Sequence, residues 1–441
     1  MNIIKNSLII CVVMFYMNCN AAEWSLNSEL GASATYKDNL TLLLVDEKDA
    51  IGGTVSPQLD LKMKEIDQQF TVLAAMESTR YKNYPALKRD VGNFNIDWLK
   101  STERSTLKLA TNYEKKSSLD QQLELFGLLD KQVFKNTANV MSSWDYKMSE
   151  NRVWSLGYSF SDVSYDEPGY LSDFGYPVAL DVVKFANYFN YTQRNFSAAL
   201  TQAVTEKSKV KLTFSLADYD GEANGYKYNS ELFSLITVNK DFMEYQSNIY
   251  QLAYFYDFSE HKKISMSYGF NKTDTQKTST PYLFDGVSGE NYGPNPSLTV
   301  VSDDEKKSNI LNMIYDYKKE NESLNGLWNK NIEDDVNGNI VEINKIEIGY
   351  DRNYTERLLF GIKFKINKNK NVIESVATPY EINRSTYIVS PSIKWRLTKD
   401  LYFTGRYQYL ERKYEGQSER PKLNSIFIGI RWVMPGIISS Y

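Results

Sequence analysis

The feature that most constrains this chain is a two-residue alternation that returns, hairpin after hairpin, along nearly its whole length. It is clearest over residues 346–367. There Leu358, Phe360, Ile362, Phe364 and Ile366 take every second position, and Leu359, Gly361, Lys363, Lys365 and Asn367 stand between them. Successive side chains on a strand point to opposite faces, so this segment has one greasy face and one polar, cationic face. The strand before it does the same, with Ile346, Ile348 and Tyr350 against Glu347, Gly349 and Asp351, and a polar turn at 352–356 joins the two.

The same rhythm recurs on both sides of that hairpin. Leu59, Leu61 and Met63 lead through a turn near Asp67 into Phe70, Val72 and Ala74. Phe94, Ile96 and Trp98 precede a turn at 101–104, and Trp144, Tyr146 and Met148 precede one at 149–151 that opens onto Trp154, Leu156 and Tyr158. Further turns fall near Glu206, His261, Lys319, Asn353 and Lys399. The last strand sets Ile426, Ile428, Ile430 and Trp432 against Phe427, Gly429 and Arg431. With an opening strand from Trp24, the hairpins add up to about 18 strands, the even count of a single-chain bacterial barrel. The predicted fold is all-β: a transmembrane antiparallel up-and-down β-barrel. Short turns on the periplasmic side, longer connections outside and both termini in the periplasm complete the expectation.

Composition narrows the alternatives. A mean hydropathy of −0.47 and the lack of a helix-length apolar run after the leader exclude a helical membrane protein. A soluble sandwich of this size would show shorter strands and more glycine and proline than the 22 and 11 present. A net charge of −4 gives no support for nucleic-acid binding. Residues 1–22 read as an export signal, with Lys5 in a short basic start, an apolar run over 7–17 and Ala21 and Ala22 at the cleavage site. Residues 23–441 are then the barrel. Cys11 and Cys19 leave with the signal, so disulfides and cysteine–metal chemistry are excluded from the mature chain.

Candidate functional residues divide by face. Trp98, Tyr146, Trp154, Tyr350, Tyr354, Trp395 and Trp432 lie near strand ends, where amphipathic rings sit at headgroup level in an aromatic girdle. If the apolar parity faces lipid, Lys363, Lys365, Lys394, Arg396, Arg406 and Arg431 face the lumen from the last strands as a cationic arc. Asp60, Lys62, Lys64, Asp97, Lys108, Lys211, Asp257, Glu347 and Asp351 share that parity. Two readings stand side by side: the arc concentrates anions in a wet pore, or lumen charges only pair across strands and keep the interior hydrated.

Catalytic signals are weak. The single histidine, His261, falls in a turn among Glu260, Lys262 and Lys263 and lacks the partners of a hydrolytic site. The stretch 333–339 carries oxygen ligands, but Asn337-Gly338 between two strands is a hairpin signal. No catalytic residue, metal site or cofactor is expected. Residues 118–134 have helical spacing through Leu119, Leu123, Phe126 and Val133, which also suits a strand extension. Long outer loops are expected over 164–184 and 275–304.

Within 123–168, Glu124, Gly127, Trp144-x-Tyr146, the turn Ser149-Glu150-Asn151, Tyr158-Ser159-Phe160, Asp162-Val163 and Tyr165 resemble a family of outer-membrane β-barrel porins associated with exopolysaccharide and exosortase loci. The opening Tyr36-Lys37-Asp38-Asn39-Leu40 looks like that family's first loop, whereas the residues after Trp432, with Met434-Pro435-Gly436, depart from its pattern. The resemblance implies an outer-membrane location and a part in polymer export, and it supplies no catalytic residues. The expected function is a non-enzymatic, porin-like passage or accessory for exopolysaccharide. Its partners would be outer-membrane lipid, an anionic polysaccharide or its export machinery, and the barrel assembly machinery. A general diffusion porin, a structural outer-membrane protein and a surface-loop adhesin or receptor are the alternatives. No plug domain is read ahead of the first strand, so a TonB-dependent transporter is not expected.

Overall fold

The computed structural model describes residues 22–39, 49–82, 84, 88–117, 134–166, 190–228, 235–285, 291–294, 300–334, 340–371, 383–415, 418 and 420–440. Among these no helix occurs. The chain runs through β1 (Glu23–Lys37), β2 (Ala50–Lys64), β3 (Gln68–Tyr81), β4 (Arg89–Ser101), β5 (Ser105–Ser117), β6 (Phe134–Ser149) and β7 (Arg152–Tyr165). It continues with β8 (Asn190–Thr205), β9 (Ser208–Tyr228), β10 (Leu235–Ser259), β11 (Lys262–Asp285), β12 (Asn291–Pro294) and β13 (Val300–Lys318). The last elements are β14 (Glu322–Asp334), β15 (Ile340–Asn353), β16 (Leu358–Asn371), β17 (Arg384–Arg396), β18 (Leu401–Tyr414), β19 (Lys422–Val433) and β20 (Ile437–Ser440).

Each spanning strand pairs antiparallel with the next, and β1 pairs back onto β19, so the sheet closes on itself as an 18-stranded barrel. The two short strands are additions: β12 pairs with the outer end of β11, and β20 resumes the path of β19 along β1. The break between β19 and β20 is Met434-Pro435-Gly436. Proline has no N–H for the ladder, and the Met434 amide bonds the Ser28 carbonyl at 2.9 Å across the gap. The closing strand therefore reaches beyond Trp432, which the sequence pattern left open. At the other end of the seam Asp38 accepts the Asn424 amide at 2.7 Å and its side-chain N–H at 2.6 Å.

The turns near 67, 101–104, 149–151, 206, 261, 319, 353 and 399 fall where expected, and several use one device. A threonine hydroxyl accepts the amide that starts the next strand, from Thr102 to Ser105 at 3.0 Å, Thr355 to Leu358 at 3.1 Å and Thr398 to Leu401 at 3.1 Å. Because the turns are tight, register is fixed and the alternation is transmitted from strand to strand. Ile346, Ile348, Phe360 and Phe364 stand outward, and so do Ile426, Ile428 and Ile430, each about half exposed at 48, 52 and 49 %. A continuous exposed band of isoleucine, leucine and aromatic rings is the outer belt of a membrane-spanning barrel.

One expectation is corrected. The stretch 275–304 is not a loop throughout: β11 continues to Asp285 and β13 begins at Val300, and the two stay paired from Lys262↔Tyr317 to Ser279↔Val300. With β9 and β10 these strands form a tall panel of 21, 25, 24 and 19 residues that rises past the apolar belt. Its polar side chains mimic a loop in sequence, but β-branched Thr273, Thr275 and Thr278 suit strand geometry. Residue 190 begins β8 as a single strand through Thr205. The export signal, most of the expected helical stretch 118–134, most of the loop 164–184 and the turn 335–339 lie outside the described residues.

Candidate functional site

The registers of β15 to β19 set the inner wall in levels, each level being an inward residue and its direct neighbours on adjoining strands. At the turn end Arg396 stands opposite Tyr402, and Tyr402 opposite Arg431. One step up, Lys394 faces Thr404; the next holds Ser392, Arg406 and Phe427. Above these come Lys363 opposite Ser390, Lys365 opposite Ile388, Arg412 opposite Thr386, and Arg384 opposite Tyr414. Every inward level from Arg396 to Arg384 therefore carries at least one cation. Steps of two residues put neighbouring levels about 7 Å apart along the strand, within a Debye length of about 8 Å at physiological salt, so the potentials of adjacent steps overlap.

Pairing along this staircase is uneven. Lys363 and Lys345 share Glu347 at 2.9 and 3.0 Å, and Arg431 reaches Glu29 at 3.3 Å. Among the described residues no carboxylate lies within 4.0 Å of Lys394, Arg396 or Arg406. Two guanidiniums also lie over rings: Arg431 lies 5.2 Å over Tyr402, and Arg406 lies 5.1 Å over Phe427. A ring face attracts a cation without neutralising it, so the Arg406 charge stays available to the lumen.

The staircase is wet at one end and covered at the other. Lys363, Lys394, Arg406 and Arg431 are exposed, and Arg396 and Lys365 are half-buried. Beyond Lys363 the inward Ile388, Leu410 and Leu423 form a buried apolar cluster. Past it Arg412 and Arg384 are 1 and 5 % exposed, with the Arg412 Nε donating to Thr386 at 3.3 Å. Lys365, Arg384 and Arg412 make further contacts as well. The opposite wall is covered at the same end, where Tyr219 is sandwiched between Tyr191 and Tyr245 at ring separations of 4.7 and 4.5 Å. Inward Val163, Met243, Val341 and Ile343 are buried too.

Facing Arg431 across β1 to β5 is a lumenal hollow of about 320 Å³ lined by Glu29, Gln58, Glu77, Asn93, Glu114 and Lys116. Its acids have partners: Arg89 on Glu77, and Lys116 on Glu114 at 2.8 Å. Asp97 and Lys108 pair at 3.4 Å, and Asp60 with Lys62 at 2.7 Å. Charge is thus matched on the β1 to β5 wall and in excess on the β16 to β19 wall.

All the expected arc residues share the inward parity. The aromatic residues named from sequence gather at the turn ends. Trp154, Trp395 and Trp432 project outward at 42, 49 and 46 % exposure, Tyr354 sits in a turn, and Trp98, Tyr146 and Tyr350 keep the outward parity. Tyr36, Tyr113 and Tyr387 take that parity toward the loop ends. His261 is exposed in its turn. No cluster of three or more acidic, histidine or cysteine residues able to hold a metal exists among the described residues. The sequence reading missed Tyr402, Phe427, Arg384 and Arg412. Extending the even-numbered parity of Lys394 and Arg396 back along β17 reaches Arg384, so that signal was present.

Outside the belt, the tall panel carries a groove of about 980 Å³ lined by Asp218, Asp220, Glu244, Asp274, Asp303 and Glu305. Lys272 bridges Asp274 and Glu305 at 3.3 and 3.4 Å, and Lys307 with Lys272 holds the Glu305 carboxyl below its ordinary range.

No family model matches the chain, and no curated protein matches it in sequence. Among solved structures it is similar to the ferric-catecholate import receptor Fiu from E. coli K12, at 9 % identity over 92 % of this chain and 81 % of that one, TM-score 0.44. It is also similar to Pseudomonas aeruginosa OpdQ (11 % identity, 94 and 99 % coverage, TM-score 0.41) and Acinetobacter baumannii OccAB2 (9 %, 93 and 98 %, 0.42). At these values nothing about cargo is carried over.

Proposed function

We propose that this chain is a passive, non-enzymatic, porin-like passage of the outer membrane that favours anions and serves exopolysaccharide export, its residues 1–22 being removed as an export signal. One observation carries the anion preference: Lys394, Arg396 and Arg406 face the lumen with no carboxylate within 4.0 Å among the described residues, on a wall whose other levels are cationic as well. Lumen charges placed only to hydrate the interior would be matched, as they are on β1 to β5. The link to exopolysaccharide rests on the family resemblance of 123–168 and on the fit between a cationic wall and an acidic polymer.

The test is the reversal potential of the purified barrel in a planar bilayer under a KCl gradient. Wild type passes chloride in preference to potassium. Replacing Lys363, Lys365 and Lys394 together with Gln lowers that ratio by about two-fold or more, and unchanged selectivity rejects the cationic wall as the determinant. For the polymer, deletion in the host is expected to leave acidic polysaccharide behind the outer membrane; undiminished surface polymer rejects the export role.

A further inference from the structure

The cations are not spread evenly, and their bunching at the turn end names a ligand. Arg396, Lys394, Arg406 and Arg431 lie on the adjacent strands β17, β18 and β19, within two inward steps of one another. From strand spacing and rise, the patch measures roughly 10 by 14 Å. Glu29, on Arg431, is the one carboxylate within ion-pair distance of any of the four among the described residues. Like charges this close on neighbouring strands repel unless a counter-charge is supplied.

We infer that this patch is a discrete binding site for a multivalent oxyanion, a ligand carrying two or more phosphate or carboxylate groups. The inference rests on the anion-favouring lumen proposed above and deepens it from a diffuse field to a site. A monovalent anion can satisfy one cation and leaves the others unmatched; a ligand with several charges can answer Arg396, Lys394 and Arg406 together. Two of the guanidiniums lie against rings, Arg431 5.2 Å from Tyr402 and Arg406 5.1 Å from Phe427. Arg431 already gives one N–H to Glu29, whereas Arg406 has no carboxylate within 4.0 Å among the described residues and can grip an oxyanion in the forked geometry that lysine cannot reproduce. The inward Ile388, Leu410 and Leu423 lie on the covered side of the patch, so a ligand reaches it from the turn end.

The experiment titrates acetate, citrate and pyrophosphate against the purified barrel, reading block of the ion current and, in detergent, heat of binding. Pyrophosphate and citrate are expected to act about ten-fold or more tighter than acetate, a difference of about 1.4 kcal/mol. Pyrophosphate above citrate assigns the site to phosphate, and the reverse assigns it to polycarboxylates. The double variant Arg396→Gln, Arg406→Gln loses about ten-fold in affinity for the multivalent probe and little for acetate, while Arg406→Lys, which keeps charge without the fork, falls between. Equal action of acetate, citrate and pyrophosphate on wild type overturns the site, as does a correctly assembled double variant with undiminished affinity. The valence series on wild type decides the matter even if the variants do not assemble. Anion selectivity in KCl that persists without a valence effect rejects this site alone, whereas loss of that selectivity rejects the passage reading beneath it.

Discussion

The two-faced wall can be tested at one pair of adjacent residues, Ile348 and Gly349 on β15. Ile348 points outward, 46 % exposed, between Gly326 on β14 and Phe364 on β16. It is five residues from Asn353, where β15 ends; at strand rise and a tilt near 40° that is roughly 12 Å along the membrane normal, close to the middle of a belt about 25 Å tall. An arginine there is immersed in hydrocarbon, at a cost of about 2–4 kcal/mol, or roughly a 30- to 900-fold loss in the folding equilibrium at 1.36 kcal/mol per decade. Gly349 points inward, and a Cβ added to it meets nothing within 4 Å. An arginine at 349 enters water. Its one evident cost is like charge opposite Lys363, at most about 1 kcal/mol. Ile348→Arg and Gly349→Arg should therefore differ by about 1–3 kcal/mol in guanidinium unfolding from lipid vesicles, followed by tryptophan fluorescence. Equal costs, or a greater cost at 349, refute the assignment of faces.

Further tests bear on closure and on the loop end. Removing the seam contact with Asp38→Ala strips two acceptors from Asn424 and should cost about 1.5–3 kcal/mol, as for hydrogen bonds to a charged group; the readout is a lower heat-modification midpoint on a denaturing gel. At the outer ends of β3 and β4, the paired hydrogen bonds from Arg80 at 2.7 and 3.0 Å, then the bond from Ser78, hold the Asp90 carboxyl below its ordinary range. A carboxyl depressed in the folded state stabilises above its unfolded pKa, and that contribution is lost as pH falls through the folded one. Asp90→Asn is thus less stable than wild type at pH 7, and the gap narrows on acidification below the usual carboxylate range; a gap that does not change with pH contradicts the pairing.

How far the sequence could be read follows from how far each signal travels. Parity is local. Ile426 and Arg431 declare opposite faces from their spacing alone, and a tight turn such as Thr398 to Leu401 carries parity into the next strand, so the barrel and its strand count were legible. Levels are not local. Whether Arg396 sits beside Tyr402 or a step above it depends on the registers of β17, β18 and β19 taken together, and a shift of two residues would preserve every face while dispersing the turn-end patch. The Arg431–Tyr402 and Arg406–Phe427 cation–ring contacts are products of register. The upper part of the tall panel failed to show for a different reason: beyond the belt no lipid requires an apolar face, so Thr275, Gln276, Lys277 and Thr278 continue β11 as a polar strand that reads as loop. The alternation that reveals this fold is written by lipid, and it fades where lipid ends. Any function of the outer panel must therefore be sought in cross-strand charge, as in the acids around Lys272, rather than in periodicity.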